Sequence, residues 1–374
     1  MNAEANSLTH NTRRDFLKLG VLAGGGLVLG IGLSGCSKPA AIGAGGQPVA
    51  WLRIAGDNTI TVLVDKSEMG QGVYTALTQL LAEELGVALE AIRVEAAPVG
   101  AVYTNNLLGA QITGGSTSVR DGWEKLRKAG AQARSMLVQA AAAQWGVGAD
   151  TLKVDSGAVV NGRKRLTFGE LAEAAAKLPV PTEVTLKSAK EFTLVGKPAK
   201  RVDTASKLDG TAIYGIDVKL PGMLHGAFAQ CPTLGGTLAG FDAVQARTMP
   251  GVKDVVGTDN GVVVIADHYW QAYKALGAVK IKWDAGANAS LDNDAIRARL
   301  RKAATRNGRS VRNDGNAAAA LKGAAKVVRA TYELPMLAHA TLEPQCCTAD
   351  VRADSADVYA PTQHMGNGPK CEPS

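Results

Sequence analysis

Apolar positions along the chain alternate between two periods. Residues 49–54 and 59–64 are rich in aliphatic and β-branched side chains and flank the turn sequence Gly56-Asp57-Asn58, which predicts a β-hairpin. Leu77, Leu80, Leu81 and Leu85 then recur at helical spacing, so a helix is predicted over 76–85 with Gly86 as its stop. Residues 90–96 read as a strand. A long helix is predicted from 116 to about 145, stopped by Gly146, with Ser118 and Asp121 at capping-box spacing. Short strands over 151–154, 158–160 and 165–167, a helix over 168–178 and a connector over 179–207 follow.

From 209 the pattern changes to alternating strands with short helices at 242–247 and 270–276, strands around 263–265 and 279–283, and a turn at Met249-Pro250-Gly251. A helix is predicted over 292–305, a looser stretch over 307–322, a strand over 325–334, and a strand and turn beginning at 358. His225 and His268 stand alone in this part and read as surface or core residues.

Two loops interrupt the pattern where chemistry could sit. Ser67-Glu68-Met69-Gly70-Gln71-Gly72-Val73-Tyr74-Thr75 lies between a strand and a helix, and Thr113-Gly114-Gly115-Ser116-Thr117-Ser118 opens the long helix. A glycine loop at a helix start presents backbone N–H groups to an anion. The same Ser and Thr residues could serve only as helix caps, and the two roles are compatible.

Composition narrows the partners. The chain has 374 residues, 46% hydrophobic and 20% charged, enough for two or three domains with a sizeable core. The formal charge of +7 is dispersed and aromatic residues make up only 5%, which argues against a nucleic-acid partner. The five cysteines (Cys36, Cys231, Cys346, Cys347 and Cys371) form no C-x-x-C pair, so no iron–sulfur cluster is expected in this chain.

The first residues read as an export signal. Arg13 and Arg14 precede Asp15-Phe16-Leu17-Lys18 and a glycine-rich apolar run over 19–33, the pattern of a twin-arginine signal. Leu33-Ser34-Gly35-Cys36 resembles a lipobox, which would make Cys36 a lipidated mature N-terminus; ordinary signal cleavage nearby is the other reading. The protein is therefore expected in the periplasm, lipid-anchored to the membrane under the first reading.

Taken together, the motifs resemble the molybdopterin-binding subunit of the xanthine dehydrogenase/aldehyde oxidase family, in its isoquinoline 1-oxidoreductase branch. Glu68-Met69-Gly70-Gln71-Gly72 with Thr75 resembles the family's E-x-G-Q-G-x-x-T loop, and Gly114-Gly115-Ser116-Thr117-Ser118 its glycine–serine loop. Residues 209–226 resemble the opening of its hammerhead module. His339-Ala340-Thr341-Leu342-Glu343-Pro344 and Ala360-Pro361-Thr362-Gln363 resemble two later segments. The loop precedes the hammerhead module here, an order shared with the isoquinoline branch.

The resemblance implies an α+β fold. After the signal over 1–36 and a linker over 37–48, it would comprise a mixed α/β molybdopterin-binding segment over 49–207. A small hammerhead-like module over 208–290, the start of a second molybdopterin-binding segment over 291–363 and an unrelated tail over 364–374 would follow. It implies that Gly70, Gln71, Gly72, Thr75, Gly114, Gly115, Ser116, Thr117 and Ser118 hold a molybdenum–molybdopterin cofactor, expected in its cytosine dinucleotide form. Glu343 would lie near the substrate pocket or serve as a structural carboxylate. No catalytic residue and no metal ligand is expected in this chain, whose C-terminal half, with the base glutamate, would be truncated.

The implied activity is hydroxylation of an N-heterocycle or oxidation of an aldehyde, with water as the oxygen source. Electrons would pass to a separate small [2Fe–2S] subunit, with a membrane acceptor such as a cytochrome beyond it. Two other readings remain open: a truncated, non-catalytic exported protein that binds no cofactor, and an exported lipoprotein that binds an anion at the Ser116 loop.

Overall fold

The structure is a computed structural model. It describes residues 27–29 and 51–365. Arg13, Arg14, Cys36, the linker and the tail beyond 365 lie outside the described residues. The described residues are mixed α/β and divide into two bodies, those up to 213 together with 360–365, and residues 214–359.

The first body is built on a four-stranded sheet in the order β1 (Leu27–Leu29), β2 (Leu52–Ile54), β3 (Ile60–Val64), β4 (Ile92–Ala96). The predicted hairpin forms, with Leu52 opposite Val62. Its turn gives Asn58 a positive φ of 67°, a conformation Asn tolerates. Every residue of β3 is buried, which explains why Thr61 is its single polar residue and the strand does not alternate.

Strands β3 and β4 are parallel, so the chain crosses over through helix α1 (Val73–Leu85), which begins three residues before its predicted start. Gly72, at φ 84°, turns the chain directly into that helix, and Gly86, at φ 81°, ends it. The long helix α2 (Ser118–Trp145) packs against α1 and ends on Gly146 at φ 65°, as predicted.

Trp51, Ile54, Ile60, Val62, Leu77, Leu81, Leu85, Leu126 and Leu137 are buried in one core. A three-stranded sheet, β5 (Lys153–Asp155), β6 (Ala158–Asn161) and β7 (Lys164–Thr167), leads into α3 (Phe168–Ala176). A true capping box starts α3: Thr167 Oγ1 accepts from Glu170 N, and Glu170 accepts from Thr167 N.

The connector over 179–207 is irregular but anchored. Two glutamates that α1 would otherwise turn to solvent are buried under it. Glu83 accepts from the N–H groups of Thr193, Leu194 and Val195 at 2.8, 2.6 and 3.0 Å, and from Lys187 Nζ at 2.7 Å. Glu84 accepts from Arg127 Nε at 2.9 Å and from Lys187 N at 3.1 Å. A short helix, α4 (Thr204–Leu208), closes this body's main run.

The second body pairs β8 (His225–Gln230) with β11 (Gly261–Ala266), which also pairs with β10 (Val252–Thr258). Strand β9 (Thr237–Asp242) pairs with β12 (Lys280–Asp284), and helices α5 (Val244–Arg247) and α6 (Tyr269–Leu276) join them. The core here is made of small side chains, among them Ala227, Ala246, Val262, Val264, Ala266, Ala272 and Ala275. Helices α7 (Asn293–Ala304) and α8 (Ala317–Gly323) and the hairpin of β13 (Thr348–Val351) and β14 (Ala356–Tyr359) follow.

Two expectations are corrected. Residues 325–334 form no strand: among the described residues no neighbouring edge supplies ladder partners, and Val328, Tyr332 and Leu334 are exposed. The capping box at Ser118 and Asp121 also does not form. Thr117 is the N-cap and Ser118 is already helical, while the Asp121 carboxylate is drawn inward by two lysines.

Candidate functional site

The loop over 67–75 is organised by its own carboxylate. Glu68 Oε1 accepts from Gly70 N at 2.8 Å and Gly72 N at 2.9 Å, and Oε2 accepts from Tyr74 N at 3.1 Å. Glu68 therefore fills the anion-favouring start of α1 itself. Gly70 and Gly72 have φ of 96° and 84°, with open space where a Cβ would stand. Only glycine takes this pair of turns without strain.

Gln71 folds back on the loop: Oε1 accepts from Met69 N at 2.6 Å and Nε2 donates to Ser67 O at 3.0 Å. Each end of the amide retains one further hydrogen-bonding valence. Thr75 is buried, and its hydroxyl accepts from Val202 N at 3.1 Å, so it holds the connector. Arg201 closes over the loop, donating to Gly70 O at 2.6 Å and forming a two-pronged pair with Asp203 at 3.0 and 2.9 Å. That hydrogen bond to Arg201 holds the Asp203 carboxyl well below the usual carboxylate range, with Lys207 adding to it.

The second loop turns sharply, with Gly115 at φ 61° and Ser116 at φ 53°. Ser116 thus stands outside the helix predicted to begin with it. Thr117 is buried and its hydroxyl points inward, donating to Gly114 O at 2.7 Å and accepting from Asn105 Nδ2 at 2.8 Å. It makes no side-chain cap bond, so α2 opens without one. Gly114, like Gly70 and Gly72, has open space at the Cβ position.

The structure joins the two loops to a segment that is distant in sequence. Ser67 N donates to Thr113 Oγ1 at 2.8 Å, and Ser67 Oγ donates to Thr362 O at 2.8 Å. Thr113 N donates to Gln363 O at 2.7 Å, and Gln363 Nε2 returns a bond to Thr113 O at 2.8 Å. Three motifs separated by up to 295 positions therefore share one hydrogen-bonded junction.

Glu343 belongs to the second body, where its Oε1 accepts from Gly215 N at 3.2 Å. His225 and His268 stand with ring centroids 6.4 Å apart in that body. Three residues that organise the site escape sequence reasoning as site members: the loop carboxylate Glu68, the clamp Arg201, and Asn105 beneath Thr117. Glu68 lies within the first glycine-loop motif. Arg201 and Asn105 carry no spacing signal, because their partners are distant or lie in an irregular stretch.

The residues available around the junction are backbone N–H groups, hydroxyls and amides. Among the described residues no group of three or more His, Cys, Asp and Glu is placed to hold a metal ion. Glycine turns with open Cβ positions suit a flat, polar organic ligand that approaches the backbone closely.

Comparison with known proteins gives this arrangement a family. Residues 14–218 match a molybdopterin cofactor-binding domain, and residues 301–367 match a second domain of the same description. The chain is 32% identical over 276 residues to the beta subunit of isoquinoline 1-oxidoreductase of Brevundimonas diminuta, covering 64% of this chain and 35% of that protein. It is 31% identical over 339 residues to the membrane-bound aldehyde dehydrogenase [pyrroloquinoline-quinone] of Gluconacetobacter polyoxogenes, covering 85% of this chain and 42% of that one. It is 28% identical over 325 residues to the B subunit of nicotinate dehydrogenase of Pseudomonas putida, covering 84% and 27%. The chain thus spans less than half the length of these relatives. It belongs to the molybdopterin cofactor-binding family of the xanthine dehydrogenase group.

Proposed function

We propose that the chain forms part of a molybdenum-dependent oxidoreductase, with residues 67–75, 113–118 and 360–363 making one side of the pterin site. The observation that supports this reading is the junction of Ser67, Thr113, Thr362 and Gln363, which brings the three motif-bearing segments of this chain to one place. Gly70, Gly72 and Gly114 leave the backbone open to the ligand. The Gln71 amide and the Ser116 and Ser118 hydroxyls and N–H groups supply polar contacts. Because Glu68 occupies the start of α1, the anionic part of the cofactor is assigned to the uncapped start of α2. Thr75 and Thr117 hold the loops from beneath rather than touching the ligand.

When bound, the molybdenum centre supplies two-electron oxidation with water as the oxygen source. The chain's own residues bind and orient it. The names of the relatives include two N-heterocycles and an aldehyde, and they support these as the substrate classes. Two of the relatives are subunits by name. This supports a partner chain, proposed to be a small [2Fe–2S] protein, since no cysteines here have cluster spacing. The cytosine dinucleotide form of the cofactor and a membrane electron acceptor such as a cytochrome belong to the same proposal. So do export directed by Arg13 and Arg14 and lipidation at Cys36.

Expression beside its genomic neighbours, followed by molybdenum analysis and fluorescence of the oxidised pterin, tests the central claim. Stoichiometric pterin is expected. Background metal and pterin would sink it, and recovery of pyrroloquinoline quinone instead would reassign the site. Replacement of Arg13 and Arg14 by lysine should abolish export, and the intact mass of the exported chain tests the lipid on Cys36.

A further inference from the structure

A closed set of four charges lies directly under the two loops. Lys66 is fully buried, and its Nζ donates to Asp65 Oδ2 at 2.5 Å and to Asp121 Oδ2 at 3.2 Å. Lys125 Nζ donates to the same Asp121 oxygen at 2.8 Å and to Thr104 O at 3.0 Å. Asp121 Oδ1 accepts from Asn106 N at 2.9 Å. The four side chains are each at most 6% exposed.

Two features set this cluster apart from an ordinary core pair. Its charges balance, two carboxylates against two ammonium groups, so none is left buried alone. It also sits at the roots of both loops. Lys66 is the residue immediately before Ser67, and Asp121 N donates to Thr117 O at 2.8 Å in the first turn after the second loop. The Lys66–Asp121 bond therefore spans the same gap as the Ser67–Thr113 bond, from below. A buried ion pair is weak evidence for stability, because desolvation of both charges offsets most of their attraction, but its geometry is directional and in some proteins fixes register.

We propose that Lys66 and Asp121 are positioning residues that set the separation of the loops over 67–75 and 113–118. This inference rests on the assignment of those loops to the cofactor. Removal of the Lys66 link should leave the α1–α2 core folded while the loops lose their fixed spacing.

The test is the charge-balanced double variant Asp65→Asn/Lys66→Met in the full chain, which leaves the Asp121–Lys125 pair intact. Hydrogen exchange of the apoprotein is read first. Amides in the peptides covering 67–75 and 113–118 are expected to exchange about tenfold faster, with the protection of residues 77–85 and 126–140 unchanged. Pterin content after co-expression is expected to fall severalfold. Asp65→Asn/Lys66→Gln, which is also charge-balanced and keeps a shorter donor, should give a smaller change and guards against misfolding of the first double variant. Wild-type exchange in both loops of either folded variant overturns the proposal, as does loss of helical signal in both variants. Absence of pterin from the wild-type chain would instead refute the cofactor reading, while the exchange result still decides the positioning role.

Discussion

Arg201 Nη2 lies 3.2 Å from Glu68 Oε1 while its Nη1 donates to Gly70 O at 2.6 Å, so one guanidinium grips the loop's cap and its backbone together. The loop is thus a closed unit before any ligand arrives. Its rigidity comes from a carboxylate inside the loop and a cation far along the chain, an arrangement that lowers the ordering cost of binding.

Removal of that carboxylate should be felt in the apoprotein. Glu68→Ala strips three N–H groups of their acceptor and should lower stability by about 1–2 kcal/mol, the range for a lost helix cap. Glu68→Gln keeps one acceptor oxygen and should lose less. Arg201→Lys keeps the charge but not the planar fork, so it should not restore the contacts to Gly70 and Asp203. Urea denaturation of the three variants checks the order.

The close approach of α1 and α2 makes a second prediction with an unusual sign. Alanine ordinarily favours a helix interior over glycine by about 1 kcal/mol. At Gly130, however, an added Cβ would sit 2.4 Å from Leu81 O and 3.1 Å from Glu84 Cβ. A backbone oxygen inside α1 cannot step aside, so overpacking, at about 1–3 kcal/mol, should outweigh the propensity gain. Gly130→Ala is expected to lower the melting temperature. Gly122→Ala, whose Cβ meets the more mobile Leu77 Cδ2 at 2.8 Å, should cost less.

Acid sensitivity should trace to Glu83. Burial raises its pKa, but the Lys187 hydrogen bond and the N–H groups of Leu194 and Val195 outweigh that and bring it to about 2, from an ordinary 4.5. A depressed carboxylate pKa stabilises the fold above the unfolded value and loses that contribution as pH falls from about 4.5 through 2. The shift corresponds to roughly 3 kcal/mol. Denaturation midpoints should therefore drop between pH 4.5 and 2, and Glu83→Gln should be less stable at pH 7 with a flatter acid limb.

Particular residues show what sequence could reveal. The hairpin of β2 and β3, the stops at Gly86 and Gly146 and the glycine loops were legible because local backbone chemistry fixes them. The burial of Lys66, Glu83 and Glu84 was not, since nothing local marks these charges and each is paired with a residue distant in sequence. Ser118 and Asp121 had capping-box spacing, yet Lys66 and Lys125 compete for the carboxylate and win. The stretch over 325–334, with Val327, Val328, Thr331 and Tyr332, carried strand propensity, but propensity supplies no hydrogen-bonding neighbour.

The bond from Ser67 N to Thr113 Oγ1 tests whether the junction serves the cofactor. Thr113 is buried, so Thr113→Val keeps its shape while leaving the Ser67 N–H without its acceptor, at a cost of about 1–3 kcal/mol. The backbone bond from Thr113 N to Gln363 O survives in that variant, as does the return bond from Gln363 Nε2. Only the contact between the two loops is lost. Thr113→Ser restores the hydroxyl and should recover stability nearly in full, with a small deficit for the missing methyl. If the junction fixes the pterin site, pterin content should follow the hydroxyl: low in the valine variant and near wild type in the serine variant, at matched folded fractions. Equal pterin content in the two variants would mean that the loops bind the cofactor without needing this link.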